Sequence, residues 1–535
     1  MPKTSDHHAT TATIAGSAAV VSVAVLCSRV LGLVREQAFA ILFGAGYAFD
    51  AFVVAFRIPN LLRDLFGEGA LSAAFVAVFA GYNATRGERE TWKLASNVLI
   101  FFGVFLSILT LVGIMASEQL VGLLVQAEFA QTPGKVELTA RLTAIMFPFL
   151  VLVSLSAVVM GVLNTKGRFF VPALSSSFFN LGSLVGGVGL ALLLPRFGQP
   201  AIVGMAIGIL LGGVLQLACQ LPALFRAGFR FTFHLDLRDP GLRRILVLML
   251  PAVVGLAPLQ LNILINTYFA SSLAEGTLSW LNYAFRLFWL PVGLFGVALS
   301  VATMPVVSRF AAERDFPRLK ETYVSSLNMA FCLSIPAAIG LVLLARPIIR
   351  IIFQHGRFDT LATIGTAEAL SCYAVGLFAY AAVKIMVPVF YALDRPRYPV
   401  MGSFLTMAVN LLFILATIEW LRHQALALSI SVAMTANFIF LSVMLYRTVG
   451  GHPLVPVFKG LGKIGLASLL MALWLFALRQ WLFPAGLTED RLLLDILAVA
   501  VCVVSGALLY GLVLHRLNLP ELTMLVERLR QKIRK

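Results

Sequence analysis

The stretch DAFVVAFRIPNLLRDLFGEGALSAAFVAVF, residues 50–79, combines a long apolar run with several charged side chains. A helix that crosses a bilayer needs about 20 predominantly apolar residues, and this run is long enough. Charged side chains inside such a run are costly, so they normally face water or a partner group. The stretch therefore predicts a membrane-spanning helix with a polar face.

The whole chain has the same apolar character. Its 535 residues are 60% hydrophobic and 12% charged, and the mean hydropathy is +0.92. A water-soluble domain of this length would need more polar residues to cover its surface. The apolar runs are too long for barrel strands, and helices satisfy their backbone hydrogen bonds internally. The composition predicts an all-α polytopic membrane protein.

About fourteen apolar runs are long enough to be transmembrane helices. They cover residues 16–43, 50–80, 94–116, 141–163, 170–194, 200–225, 244–270, 278–305, 322–345, 366–392, 399–420, 424–446, 459–480 and 492–515.

The Lys and Arg residues between these runs predict their orientation. If the N-terminus is cytoplasmic, the cytoplasmic loops hold most of these residues, including Arg226, Arg230, Arg238, Arg243 and Arg244 in one loop. We therefore expect a multi-pass protein of the bacterial inner membrane with both termini in the cytoplasm. The net charge of +16 does not predict nucleic-acid binding, because the basic residues lie in short loops and not on a soluble module.

An internal repeat predicts the arrangement of the spans. The segment AFRIPNLLRDLFGEGALS (55–72) resembles AFRLFWLPVGLFGVALS (284–300), with AFR and LFG matched at a shift of 229 residues. The same shift relates Arg168 to Arg397. It corresponds to six spans, so the copies have the same orientation. We expect two six-helix lobes (1–230 and 231–450) in parallel repeat around a central cavity, plus two extra C-terminal helices and a basic tail (451–535).

Six cations fall deep inside the predicted spans, away from their ends: Arg29, Arg35, Arg57, Arg63, Arg286 and Lys384. The acids near them are fewer: Glu36, Asp50, Asp64 and Glu68. This positive surplus favours an anionic ligand. Arginine suits phosphate, because its planar guanidinium donates two parallel hydrogen bonds and stays charged.

Helical spacing groups some of these residues. Arg29, Gly32 and Glu36 share one face of a helix, and so do Arg57, Asn60 and Asp64. The alternative is that some of the charges form structural ion pairs or lie at the membrane surface. That alternative applies most to Arg63 and Asp64, while the sequence leaves Lys384 undecided.

Motifs for catalysis are missing from the sequence. It contains no phosphate-binding G-x-x-x-x-G-K-[ST] loop and no HExxH motif, and GLGKIG (460–465) opens an apolar run without a preceding strand. The five cysteines lie in apolar runs, where they fit packing better than metal binding or disulfides. We expect a transporter and not an enzyme, with no metal or cofactor, driven by an ion gradient or the membrane potential.

Five segments carry a family resemblance: SRVLGLVRE (28–36), the opening stretch (50–79), GVLQLACQLP (213–222), INTYFAS (265–271) and FQHGRFD (353–359). They resemble the MurJ/MviN family of lipid II flippases, within the MOP exporter superfamily. The resemblance implies inward- and outward-open states and a cationic cavity for the diphosphate and the sugar–peptide head of lipid II. It also implies that the last two spans form a groove for the polyprenyl tail.

The resemblance also implies a set of binding residues. The family's cavity positions correspond to Arg29, Arg35, Asp50, Arg63 and Arg286, and the same motif contains Asn60, Arg57 and Glu68. Family members often have an acid where this chain has Phe285, just before Arg286. The cores of spans seven, eleven and twelve contain no carboxylate, so we expect no sodium site.

These observations lead to a functional hypothesis. The chain would move the undecaprenyl-diphosphate-linked peptidoglycan precursor from the cytoplasmic to the periplasmic leaflet by alternating access, with lipid II and the membrane as partners. Cell-wall synthesis proteins are candidate further partners. Arg29, Arg35 and Arg286 would clamp the diphosphate, Asp50 and Glu36 would orient the arginines, and Arg63 would guide the headgroup.

Three alternatives stay open. A flippase for another polyprenyl-diphosphate-linked oligosaccharide, of the O-antigen type, would handle the same diphosphate. A drug/cation antiporter of the MOP superfamily would need an acidic cavity, which the cationic surplus disfavours. A membrane enzyme acting on lipid diphosphates would need a nucleophile or metal set that the sequence lacks.

Overall fold

The structure is a computed structural model that describes residues 4–451, 454–483 and 492–519. The side chains described are those of residues 23–67, 69–451, 455–483 and 492–519. The chain divides into two compact units, Met1–Leu278 and Ser279–Lys535. Within the described ranges the regular elements are all helices, as predicted for an all-α protein.

The described residues of the first unit form twelve α-helices. They are α1 (Thr4–Phe43), α2 (Tyr47–Arg63), α3 (Ala70–Thr85), α4 (Gly87–Met115), α5 (Ser117–Leu124), α6 (Ala127–Ala130), α7 (Lys135–Met146), α8 (Phe149–Thr165), α9 (Phe170–Leu193), α10 (Ala201–Ala218), α11 (Leu221–Arg226) and α12 (Pro240–Ser271). A π-helical turn, Asp64–Gly69, joins α2 to α3. A short 3₁₀ helix, Leu194–Phe197, follows α9.

The second unit contains the remaining helices that the structure describes. They are α13 (Thr277–Pro291), which begins at the boundary, α14 (Ala298–Ala312), α15 (Phe316–Leu343), α16 (Ala345–Phe353), α17 (Thr360–Val375), α18 (Leu377–Ala392), α19 (Arg397–Leu421), α20 (His423–Thr448), α21 (Leu454–Leu482) and α22 (Leu492–Arg516). A second π-helical turn, Val292–Val297, joins α13 to α14.

The spans agree with the apolar runs of the sequence. Among the described residues, 12 helices are long and apolar enough to cross a membrane, or 13 if the bent pair α17–α18 is one span. The first predicted span, 16–43, lies within α1, which is not among these helices. The polytopic character is confirmed, and the fourteenth span stays a prediction.

The element bounds repeat at the predicted shift. Moving α4 by 229 residues places it on α15 within one residue at its end, and the turn Asp64–Gly69 falls within one residue of Val292–Val297. The break between α7 and α8 at Pro148 corresponds to the break between α17 and α18 at Gly376. The two halves of the sequence therefore fold into the same succession of helices.

The glycine of the repeated LFG motif lies close to a neighbouring helix in both units, against a side chain in the first and against backbone in the second. A Cβ on Gly67 would lie 3.2 Å from Oγ of Ser154 in α8, and a Cβ on Gly296 would lie 3.2 Å from Cα of Ala381 in α18. Both positions bring a π-helical turn close against the neighbouring helix. π-helical turns inside α-helices occur frequently at functional sites.

The compact units do not coincide with the lobes drawn from the repeat. Helix α12, which the repeat assigns to the second lobe, packs against α3 in the first unit. Its start is fixed locally, because Asp239 accepts a hydrogen bond from the amide of Leu242 and Pro240 occupies the first turn. The lobe boundaries 1–230, 231–450 and 451–535 remain a prediction.

Candidate functional site

The cations of α1 have different environments. Arg29 is exposed, whereas Arg35 and Glu36 are buried at 8% and 4% exposure. Nη2 of Arg35 donates a 2.8 Å hydrogen bond to Oε1 of Glu36, and the guanidinium carbon lies 5.5 Å from the ring centroid of Phe179 in α9. This contact is the one that the predicted orienting role of Glu36 requires. Of the two arginines, Arg29 is the exposed one.

Asp50 lies in a buried polar cluster at the start of α2. Its Oδ2 accepts a 2.8 Å hydrogen bond from the amide of Gly276, and Nζ of Lys135 lies 3.4 Å away. Asp50 is 1% exposed and Lys135 is 4% exposed. The Lys135 ammonium also lies 4.6 Å from the ring centroid of Phe129. Asp50 thus holds three segments of the first unit together, and we call Asp50, Lys135 and Gly276 the Asp50 cluster.

A neighbouring hydrogen bond reinforces the Asp50 cluster. The amide of Tyr47 donates to Oε1 of Glu275 at 3.0 Å, one residue before Gly276. Gly276 itself has a φ of +92°, a conformation that favours glycine. The loop that leaves α12 is therefore fixed to the start of α2 by two adjacent contacts.

Arg63 and Asp64 lie at the end of α2, where the π-helical turn begins. Nη2 of Arg63 is 2.7 Å from Oδ1 of Asp64, and both side chains are about a quarter exposed. Oδ2 of Asp64 accepts a 3.1 Å hydrogen bond from Gln260 in α12. Arg57 and Asn60 are half-buried on the same helix. Glu68 lies outside the described side chains, so its predicted role has no structural description.

Arg286 belongs to the second unit and is exposed on α13. The residue before it, Phe285, packs with its ring centroid 5.4 Å from that of Tyr373 and 6.0 Å from that of Trp289. Phe285 therefore belongs to an aromatic cluster, at the position where the resemblance implied an acid in other family members. Lys384 is also exposed, with its Nζ 5.7 Å from the ring centroid of Trp289.

A cavity of about 480 Å³ lies elsewhere in the second unit, along the FQHGRFD motif. Its lining includes Arg350, Gln354, His355 and Asp359, and none of the predicted binding residues. Arg350 forms a buried ion pair with Asp495 of α22 at 3.5 Å. Within the described part of the chain, no group of three or more His, Cys, Asp or Glu side chains could hold a metal ion.

Sequence reasoning missed the buried partners Lys135, Gln260 and Asp495. Lys135 and Arg350 fall between the predicted spans, so apolar run length alone places both outside the membrane. The sequence does show a charged residue at the start of a helix such as α7, which could have suggested a buried ion pair. It does not identify the partner, because the partner is distant in sequence.

The chain matches proteins whose transport function is named. A family model described as "Lipid II flippase MurJ" matches residues 39–494. A lipid II flippase MurJ of Burkholderia cenocepacia is 33% identical over 493 residues, covering 91% of this chain and 94% of that protein. A probable lipid II flippase MurJ of Vibrio cholerae is 35% identical over 438 residues, covering 81% and 82%.

Solved structures agree with these relatives. A lipid II flippase MurJ in an inward closed conformation matches with a TM-score of 0.74 and 26% identity, over 91% of this chain and 97% of that one. A multidrug resistance MATE family transporter of the MOP superfamily matches with a TM-score of 0.66 at 16% identity, over 78% and 95%, which shows a shared fold alone.

The matched residues extend from α1 to the start of α22 and include the described candidate arginines from Arg57 to Arg286. The family consists of flippases, which agrees with the prediction that the chain is not an enzyme. The chain belongs to the MurJ family of lipid II flippases.

Proposed function

We propose that this protein moves lipid II, the undecaprenyl-diphosphate-linked peptidoglycan precursor, from the cytoplasmic to the periplasmic leaflet by alternating access. Membership of the MurJ family supports the proposal. The structural observation that carries it is the presence of accessible arginines, Arg29 and Arg286, on helices of an otherwise apolar chain. A hydrocarbon environment penalises such charges, and a diphosphate would neutralise them.

The candidate residues divide into two roles. Arg29, Arg57 and Arg286 contact the diphosphate; Arg29 and Arg286 are exposed, and Arg57 is half-buried. Glu36 holds the guanidinium of Arg35 in a fixed orientation. Asp64 holds Arg63, which lies near the headgroup in this proposal. The Asp50 cluster positions α2 and contacts no substrate. This division changes the hypothesis drawn from the sequence, in which Asp50 oriented the arginines directly.

The energy source and the topology are part of the proposal. The protein uses no cofactor, and an ion gradient or the membrane potential drives the cycle. A charge moved across the membrane potential gains about 2.3 kcal/mol per 100 mV, which is sufficient to bias a transport step. Both termini are cytoplasmic, as the Lys and Arg distribution predicts, and the protein resides in the bacterial inner membrane.

Two other kinds of transporter would use the same fold. A flippase for an O-antigen-type lipid oligosaccharide would need the same arginines, so it differs only in the headgroup. A drug/cation antiporter, as in the MATE proteins with this fold, would need accessible acids. The predicted acids that the structure describes on α1 and α2, Glu36, Asp50 and Asp64, all have cationic partners.

Complementation tests the proposal. Cells depleted of their own lipid II flippase should grow when this protein is expressed, and Arg29→Ala and Arg35→Ala should fail although they reach the membrane. Arg196→Ala, in the exposed 3₁₀ helix Leu194–Phe197 of the same unit, is the matched control and should rescue. Export of a labelled peptidoglycan precursor gives the direct readout. If both arginine variants rescued growth, the proposed binding of the diphosphate by these arginines would be wrong. If the wild type failed to rescue, the proposal that the protein transports lipid II would be wrong.

A further inference from the structure

An apolar cavity of about 310 Å³ lies in the first unit beside the loop that joins α11 to α12. The described residues that line it are all Leu, Ile, Val or Phe. They come from four helices and the loop, and include Ile100, Leu155, Leu217, Phe225 and Phe229. None of the residues proposed for the diphosphate lines this cavity. Its volume lies at the low end for small-ligand sites.

The loop beside the cavity has an alternating pattern. From residue 229 to 238 the sequence FRFTFHLDLR places apolar side chains at every second position and polar ones between them. This period of two gives an extended segment one apolar face and one polar face. The first eight of these residues form neither helix nor strand. We call residues 229–238 the amphipathic segment.

Side chains of α4 fix the amphipathic segment in place. The buried Asn97 donates to the carbonyl oxygen of Asp236 at 2.8 Å and accepts from the amide of the same residue at 2.9 Å. The amide of Thr232 donates to Oγ of Ser96 at 3.2 Å. Through these bonds α4 supports the extended backbone as a neighbouring strand would. The segment is therefore a built part of the first unit.

The apolar face of the amphipathic segment is largely uncovered. Phe233 is 87% exposed and Phe231 is 55% exposed, and Leu235 and Leu237 are also exposed. Large apolar side chains that share one exposed face mark an interaction surface or a membrane contact. Aromatic and basic residues together are typical of segments that lie at the membrane interface.

Arginines surround this apolar surface. Arg226 and Arg230 are exposed and adjoin Phe225, Phe229 and Phe231 in sequence. The guanidinium of Arg168 donates to the carbonyl oxygens of Ala223 at 3.1 Å and Arg226 at 2.9 Å, which places a third positive charge beside α11. The cavity reaches Val159, about 9 Å from the end of α8 by helical rise. Positive charge thus lies beside α11 and the amphipathic segment, next to the apolar cavity.

We propose that this site binds an anionic glycerophospholipid of the cytoplasmic leaflet, with one acyl chain in the cavity and the phosphate held by Arg226 and Arg230. The cavity supplies the apolar contact and the arginines supply the charge complementarity. A neutral lipid would make only the apolar contact. The site is separate from the transported substrate, and it would fix the first unit to the inner leaflet.

Native mass spectrometry of the purified full-length protein tests the charge contact. We expect phosphatidylglycerol to bind more tightly than phosphatidylcholine with identical acyl chains. Arg226→Gln with Arg230→Gln should weaken phosphatidylglycerol binding roughly tenfold, because each basic residue near a membrane surface adds favourable interaction with anionic lipid. The double variant Arg244→Gln with Arg314→Gln removes two exposed charges that adjoin no lining residue in sequence, and it should bind within about twofold of wild type.

A second pair of variants tests the cavity. Ile100→Phe narrows it, whereas Ile108→Phe adds the same volume at an exposed position of α4, at 59% exposure. Only Ile100→Phe should lower phosphatidylglycerol binding, with thermal unfolding unchanged in both. Equal binding of the two phospholipids, or unchanged binding in both Arg226→Gln/Arg230→Gln and Ile100→Phe, would overturn the proposal. Displacement of phosphatidylglycerol by equimolar polyprenyl phosphate would also overturn it, because the site would then belong to the carrier lipid.

Discussion

The opening stretch around α2 and its counterpart around α13 share a backbone but differ in charge. Each helix is followed by a π-helical turn at the same place in the repeat, and each carries an arginine in the motif AFR, Arg57 or Arg286. The positions that correspond to Asp50, Arg63 and Asp64 at the shift of 229 residues are Ser279, Val292 and Gly293. The second copy forms the same break without these charges.

This difference separates two uses of charge in one fold. The π-helical turn does not depend on the ion pairs, because the second unit has the turn without their counterparts. The arginine of the AFR motif is the charged residue that both copies share. We infer that Arg57 and Arg286 serve the anionic substrate, whereas the Asp50 cluster and the Arg63–Asp64 pair stabilise the first unit.

The largest expected change in stability comes from disrupting the Asp50 cluster. Lys135→Met should lower the free energy of unfolding by about 3 kcal/mol, because removing one partner of a buried ion pair leaves an uncompensated charge. Asp50→Asn added to Lys135→Met should recover most of the loss, since Asn still accepts from the Gly276 amide. Thermal unfolding in detergent measures both. Ile364→Met, at the position that corresponds to Lys135, is the control and should change little; an equal loss there would show a general packing effect.

The common arginines should have the next largest effect. Arg57→Ala and Arg286→Ala should each lower the rate of lipid II translocation roughly tenfold or more, because each removes charge-assisted hydrogen bonds. Lysine at either position should restore part of the rate, since it keeps the charge and loses the planar fork. Translocation in proteoliposomes gives the rate, and Arg397→Ala serves as the control. A change confined to unfolding temperature would assign these arginines to stability.

The two LFG glycines should respond differently to alanine. Gly296→Ala should destabilise the protein by about 1 kcal/mol, because the new Cβ meets backbone of Ala381 that cannot rotate away. Gly67→Ala meets mainly the hydroxyl of Ser154, which can rotate, so it should be near neutral. Thermal unfolding compares the two variants. Equal losses would mean that the two turns pack alike.

The Arg63–Asp64 pair should have the smallest effect on stability. Asp64→Asn should cost less than about 1 kcal/mol, because both side chains are partly exposed and water screens the pair. The oxygen of the new side-chain amide still accepts the hydrogen bond from Gln260. The same unfolding assay measures the change, with Asp315→Asn in the second unit as a partly exposed comparison. A loss as large as that of Lys135→Met would place this pair among the buried ones.

Much of the fold could be predicted from local sequence patterns. Apolar run length predicted the spans, because a hydrocarbon environment requires long continuous helices. The AFR and LFG matches predicted the repeat, and the structure extends it to helix ends and to a second break at Pro148 and Gly376. These features depend on residues close together in the chain.

The partners of the charged residues could not be predicted in the same way. Glu36 was identified near Arg35 because the two are adjacent, but Lys135 meets Asp50 across 85 positions of sequence and Gln260 meets Asp64 across 196. Hydropathy assigns a lysine at a helix start to the water phase, whereas packing against Phe129 buries it. The candidate site was therefore identified by residue type, and the structure adds which arginines are exposed and which acids hold Arg35 and Arg63.

The most direct test of the central claim is the preference of the purified protein for polyprenyl diphosphate over polyprenyl monophosphate, measured as a ratio of dissociation constants. If accessible arginines hold the diphosphate, the wild type should prefer the diphosphate roughly tenfold, and Arg29→Ala with Arg286→Ala should remove the preference. A ratio that stays the same in the double variant, with the fold intact, would contradict the account.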